Sequence, residues 1–271
     1  MSLVALDLSD GYLAALALSI SGALGLAIGS FLNVVAWRVP RDESVLHPPS
    51  ACPACHAPIR RRDNVPVLSW VLLRGRCRDC HARISRRYPL VELGTGVVFV
   101  ILTLVVGVSW ALPAYLYVGA LGVVLTLIDL DVRRLPDAIV LPSYGVVSVL
   151  LVLGSWGEGD WPALWRALLC GAILYAFYFV ALIVYPGGMG FGDVKLAGVL
   201  GMALGWLGWG QFAVGAFAAF LLGGLFSIGL MVAGRAGRKS TIPFGPWMIG
   251  GAALGTVVGA PLWDAYLGLM L

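Results

Sequence analysis

The sequence predicts an all-α polytopic membrane protein of about eight transmembrane helices, carrying one small polar loop domain. Three observations predict it. Sixty per cent of the 271 residues are hydrophobic and only 12% are charged, more apolar surface than a soluble domain of this size can hide. Apolar runs recur along the chain, and several reach the roughly 17–25 residues that cross a bilayer. The polar residues instead concentrate in one segment, 37–88, between the first and second runs.

The runs fall at 12–35, 89–108, 112–128, 138–154, 163–185, 194–208, 211–233 and 246–268, the sixth being short and glycine-rich. The first is expected to stay as an anchor. Its flank carries Asp7 and Asp10 and no Lys or Arg, whereas a cleaved signal peptide has a basic flank. That flank also places the N-terminus outside. With eight alternating spans, 17 of the 18 basic residues fall on one side and only Arg166 on the other. Such a bias makes the first side cytoplasmic. A solvated basic loop accounts for the charge, so no nucleic-acid partner is needed. The expected organisation is a first helix over 1–36, a cytoplasmic loop over 37–88 and a seven-helix membrane core over 89–271.

The loop holds Cys52-Pro53-Ala54-Cys55, then 21 residues, then Cys77-Arg78-Asp79-Cys80. Two such pairs at this separation are the pattern of a zinc ribbon. Each turn presents two thiolates, and four complete a closed tetrahedral shell, structural in role because no ligand position stays open. Zn2+ bound by Cys52, Cys55, Cys77 and Cys80 would supply folding energy to a segment with little core. Two disulfides are the competing reading, disfavoured in a reducing cytoplasm. His56 and His81 follow the knuckles and are expected as exposed neighbours, with a ligand role the alternative. Cys170, in mid-span, reads as a small apolar core residue.

Two aspartates carry the chemistry. Asp129 ends an apolar stretch that begins at Tyr117, and Asp193 closes Gly190-Phe191-Gly192 just before Lys195. A carboxylate at the rim of a bilayer needs a partner, water or a function. The topology places both at the cytoplasmic ends of spans. Side by side, two carboxyls share one proton. The ionised one then activates a water against a peptide carbonyl that the protonated one polarises. Asp131 reads as an interfacial charge on the opposite helix face, and Asp137 as the N-cap of the fourth span. Gly190 and Gly192 permit close approach of an extended backbone. With Lys195, and with Pro243 and Gly245 at the start of the last span, they are the candidate substrate contacts.

These elements together resemble the type IV prepilin peptidases, bifunctional leader peptidases and N-methyltransferases. The resemblance is carried in order by Ser30-Phe31-Leu32-Asn33-Val34, the double cysteine loop with Asp63-Asn64-Val65-Pro66, and Arg74-Gly75-Arg76-Cys77. It continues with Tyr88-Pro89-Leu90-Val91-Glu92, Asp129, Leu135-Pro136-Asp137, Gly190-Phe191-Gly192-Asp193-Val194-Lys195 and Pro243-Phe244-Gly245-Pro246. It implies Asp129 and Asp193 as the catalytic pair of an enzyme in the bacterial inner membrane. The implied substrates are prepilins or pseudopilins with short basic leaders, cut at the cytoplasmic face. It also implies methylation of the new N-terminus from S-adenosylmethionine. Asp63, Asn64, Gly75 and Glu92, at the loop–membrane junction, are the candidate donor contacts. No dinucleotide-type glycine fingerprint is present, and for Glu92 an ion pair at the membrane surface is the alternative. A presenilin-like protease, a transporter and a zinc-ribbon scaffold are the rival readings.

Overall fold

The computed structural model describes residues 11–185, 189–235 and 243–270. Asp7, Asp10, the turn residues Pro186, Gly187 and Gly188, and the basic Arg238 and Lys239 lie outside the described residues. The described chain is helical: α1 (Gly11–Arg38), a short α2 (Leu68–Leu72), α3 (Arg87–Val106), α4 (Leu112–Val132), α5 (Asp137–Glu158), α6 (Trp161–Val184), α7 (Phe191–Leu207), α8 (Trp209–Val232) and α9 (Gly245–Met270). Seven of these are long and apolar enough to cross a membrane. The remaining long helix, α7, has 17 residues, about 26 Å of rise, and matches the short sixth span.

Burial runs inside out relative to a water-soluble protein. Leu13, Leu16, Ile20 and Leu24 of α1 are exposed, while Ser21, Thr95 and Thr103 are buried. Apolar side chains meet lipid without cost, so helices associate through small residues and internal polar bonds. The protein is a multi-pass membrane protein.

The chain divides into two compact units, residues 1–108 with 119–124, and residues 109–118 with 125–271. In the first, α1 packs on α3. A Cβ on Gly25 would lie 2.7 Å from the Gly96 Cα, and one on Gly29 2.8 Å from the Glu92 Cα. Glycine is required there because the two backbones touch. Thr103 donates to the Ser21 hydroxyl at 2.8 Å, closing the seam with a polar bond. The polar loop adds a 3-10 turn at Arg61–Asp63, α2, and two isolated β-bridges, Ala51 with Pro58 and Arg76 with Arg83.

In the second unit α7 is the axis, packed by α5, α6, α8 and α9. Every residue from Leu196 to Trp206 is buried. Its glycines meet backbone directly: a Cβ on Gly201 would lie 2.7 Å from the Cys170 carbonyl. Cys170 is buried, an apolar core residue as expected. A short enclosed helix leaves terminal carbonyls without partners. Arg166 supplies them, donating from Nε to Gly205 and from Nη2 to Trp206, both at 2.6 Å. The Tyr115 hydroxyl donates to the Ala203 carbonyl at 2.7 Å. Arg166→Met should therefore destabilise this unit by about 1.5–3 kcal/mol for each charge-assisted bond lost. Thermal unfolding in detergent reads it, and an unchanged midpoint would show that the carbonyls find other donors.

Candidate active site and metal centre

Asp129 and Asp193 lie in the same unit, both buried, at 5% and 9% exposure. Helix α4 continues past the expected end of its span, so Asp129 sits in its last turn, where its carbonyl accepts from the Arg133 N–H at 2.9 Å. Asp131 is exposed on the same helix. Asp193 is the third residue of α7, and its Oδ2 accepts from the Gly190 N–H at 3.2 Å, just ahead of the helix. The Asp129 Oδ2 accepts from the N–H of Gly245, the first residue of α9, at 3.1 Å. Each carboxylate thus takes a backbone donor that a helix start leaves unpaired.

Leu135, in the turn after α4, lies against the backbone beside each of them. A Cβ on Gly192 would lie 2.9 Å from the Leu135 Cβ, and one on Gly245 3.5 Å from its Cδ2. One leucine therefore spans from the residue before Asp193 to the residue bonded to Asp129. Tyr178 packs on Phe244 and Phe220, with ring centroids 6.2 and 5.4 Å away. Phe244 of this cluster directly precedes Gly245, whose N–H holds Asp129. A Cβ on Gly245 would sit 2.8 Å from the Asp129 Oδ2.

Lys195 and Asp137 take roles the sequence did not reveal. Pro136 occupies the N-cap position of α5, so Asp137 is not the cap expected of it. Its carboxylate receives the Lys195 ammonium at 2.7 and 2.8 Å, and Lys195 also lies over the Phe191 ring. This pair ties the start of α5 to the start of α7, two residues beyond Asp193. Pro243 precedes α9 and is half-buried. Among the other substrate candidates, Gly190 and Gly245 act here through backbone N–H groups, and Gly192 through contact with Leu135.

In the first unit the four cysteine sulfurs lie within 4.8 Å of one another. Cys52 and Cys80 are 3.8 Å apart, and Cys55 and Cys77 4.0 Å. A tetrahedral shell at about 2.3 Å per bond sets its sulfurs about 3.8 Å apart, so the donor set fits one such ion. The sulfurs are too far apart for disulfide bonds. The two knuckles have the same build. His56 donates its N–H to the Cys52 carbonyl at 2.8 Å, and His81 to that of Cys77 at 3.0 Å. Both histidines have a left-handed backbone, φ 59°. They close the knuckle turns and are absent from the sulfur cluster. Backbone N–H groups of Cys55 and Ala54 pull the Cys52 thiol down to about 7, whereas Cys55 is pushed up to about 12 and Cys80 is also raised beside the other sulfurs.

The four residues expected at the donor site separate. Asp63 is held by Arg78, whose Nε donates to both carboxylate oxygens at 2.8 and 3.1 Å. That bond keeps its carboxyl below the usual range. Gly75 has φ +66°, and a Cβ there would be 2.8 Å from the Trp70 ring. Glu92 is buried and accepts from the Val67 N–H at 2.7 Å. Val67 has φ 60°, a rare conformation for a β-branched residue, so Glu92 fastens a strained loop residue to α3. Asn64 is exposed and lines a cavity in this unit.

With this geometry in view, the comparisons decide the family. Residues 23–106 match the family described as Bacterial Peptidase A24 N-terminal domain, and residues 116–228 the Type IV leader peptidase family. The chain is 38% identical over 249 residues to the Prepilin leader peptidase/N-methyltransferase of Aeromonas hydrophila, covering 82% of this chain and 84% of the relative. This chain belongs to the type IV leader peptidase family. Relatives of the same name in Neisseria gonorrhoeae and Bacillus subtilis (strain 168) are 36% and 30% identical. They span 85% and 94% of this chain, and 86% and 99% of their own lengths. No solved structure matches.

Two outcomes follow for the loop. Glu92→Leu leaves the Val67 N–H without its acceptor, costing about 1–3 kcal/mol, and should speed trypsin cleavage at Arg60, Arg61 and Arg62. Glu92→Gln, which keeps an acceptor, should stay close to wild type. Equal cleavage in all three proteins would deny Glu92 this role. The Asp63–Arg78 bond stabilises the loop above the ordinary aspartate range, because the folded carboxyl titrates lower than the unfolded one. That contribution is lost as pH falls through the folded value. The thermal midpoint in detergent should therefore drop on acidification less steeply in Asp63→Asn than in wild type.

Proposed function

We propose that this protein removes the short basic leader from type IV prepilins or pseudopilins and N-methylates the new N-terminal residue. The reaction site is assigned to the cytoplasmic face of a bacterial inner membrane. One observation carries the peptidase reading: two buried aspartates in one unit, each on a helix-start N–H, with Leu135 bridging their glycine neighbours. The names of the relatives support prepilins as substrates, and the bias of basic residues supports the sidedness.

On this reading the two buried carboxylates approach closely enough to hold one proton between them. The ionised member draws a proton from water as that water attacks the scissile carbonyl. The protonated member donates to the carbonyl oxygen and later to the leaving amine. Gly245 and Gly190 fix the orientation of the two carboxyls through their N–H groups. The glycine backbone at Gly190 and Gly192, together with Pro243 and Gly245, offers an unobstructed edge to an extended peptide. Residues 37–88 form the cytoplasmic loop on this reading, with 1–36 and 89–271 as anchor helix and membrane core. Cys52, Cys55, Cys77 and Cys80 would hold a structural Zn2+ with no open position, which contributes folding energy to the loop. S-adenosylmethionine would supply an activated methyl group for the amine freed by cleavage.

Asp129→Asn and Asp193→Asn should each lower cleavage of a prepilin in detergent by about 10⁴-fold or more, with the fold intact by thermal unfolding. Activity within tenfold of wild type in either variant would remove that residue from the dyad. Gly245→Ala, which crowds the Asp129 Oδ2, should cost about 10²-fold. Elemental analysis in reducing buffer should give about one zinc per chain, and Cys77→Ser should lose most of it. Wild-type protein with no zinc would refute the metal assignment.

A further inference from the structure

Three of the four residues expected to contact the methyl donor are engaged elsewhere: Asp63 with Arg78, Glu92 with Val67, and Gly75 beneath Trp70. The fourth, Asn64, lines a cavity of about 370 Å³ in the first unit, within the size range of small-molecule sites. One wall is a single face of α1, formed by Ala27, Ser30, Phe31, Val34 and Arg38, which recur at helical spacing. The facing wall is the proline-rich strap from Val45 to Ser50, with Asn64 and Pro66. Arg38 holds that strap in place, donating to the Ser44 carbonyl at 2.9 Å and the Pro48 carbonyl at 2.7 Å.

We propose that this cavity binds the adenosyl sulfonium donor of the methylation step, an inference that rests on the N-methyltransferase reading. Its lining combines what that ligand requires. The hydroxyls of Ser30 and Ser50 and the carboxamide of Asn64 make no side-chain hydrogen bond to any described residue, so their capacity is free for a ribose diol or a purine edge. Phe31 is 48% exposed and offers a ring face to a purine or to a sulfonium charge. The Arg38 guanidinium at one end, which keeps N–H donors beyond the two it gives the strap, suits the donor's carboxylate. A hydrocarbon chain fits poorly here, because polar side chains stand on both walls. The larger cavity of about 480 Å³ in the second unit differs. It is lined mainly by apolar residues, and two of its three polar members are already paired, Tyr144 with the Lys195 carbonyl and Lys195 with Asp137.

Equilibrium dialysis of radiolabelled S-adenosylmethionine against the full-length protein in detergent tests this directly. Ser30→Trp, which fills the cavity, should weaken binding by more than about tenfold. Asn64→Ala and Phe31→Ala should each weaken it by about three- to tenfold. Zinc content and thermal midpoint, measured in parallel, report folding. If Ser30→Trp proves unfolded, the two alanine variants decide. Wild-type binding that these variants leave unchanged would overturn the site while leaving the methyltransferase reading intact. Wild-type protein that neither binds the donor nor labels a pre-cleaved pilin would overturn that reading and the site with it. A donor displaced by added phospholipid in wild type but not in Ser30→Trp would assign the cavity to lipid and reject the proposal.

Discussion

Burying a carboxylate in a low-dielectric helical bundle costs several kcal/mol unless donors replace its water, and this constraint organises the second unit. The interiors of membrane helices have no spare donors, because every N–H is already bonded within its own helix. Free N–H groups occur at helix starts. Both acids are placed to reach one: Asp129 takes that of Gly245 where α9 begins, and Asp193 that of Gly190 just ahead of α7. The breaks between helices are therefore what make a buried pair of acids tolerable. Glycine at those breaks leaves room for the carboxylates themselves.

The same constraint explains why α7 is short and enclosed. Its first turn must carry Asp193, and its far end must be closed without a polar loop entering lipid. Arg166, Tyr115 and the Trp206–Ser155 bond of 3.0 Å satisfy that end from neighbouring helices. With both ends anchored, the helix is held against displacement along its axis, and that fixes the depth of Asp193. Lys195 and Asp137 add a second tie at the acid-bearing end.

The polar loop faces the opposite problem, too little apolar surface to order fifty residues. Its order comes instead from cross-ties. Four sulfurs meet, Arg60 pairs with Asp79 at 2.8 Å and Arg78 with Asp63, and Glu92 fastens Val67 to α3. Exposed ion pairs contribute little individually, so the clustered thiolates and the buried Glu92 bond matter most. Residues that look available for ligand in the sequence are thereby occupied in the fold, which leaves the cavity beside α1 as the uncommitted polar surface.

By itself the sequence determined the helices, the cysteine cluster and the family, because each is written in local pattern. Apolar run length dictates a span, a repeated Cys-x-x-Cys dictates a knuckle, and ordered motifs dictate kinship. Even the short sixth span was visible in its glycines. What only the tertiary structure decided is which side chains meet across helices. Leu135 was legible as part of a motif, yet nothing local shows that it packs against both Gly192 and Gly245. Asp137 looked like a helix cap, and a lysine 58 residues away claimed it. Asp63, Glu92 and Gly75 looked like ligand contacts, and an arginine, a strained backbone N–H and a tryptophan ring engaged them. Such pairings depend on crossing angles and on which carbonyls and N–H groups are left over when helices pack. Those quantities exist only once the whole bundle has formed.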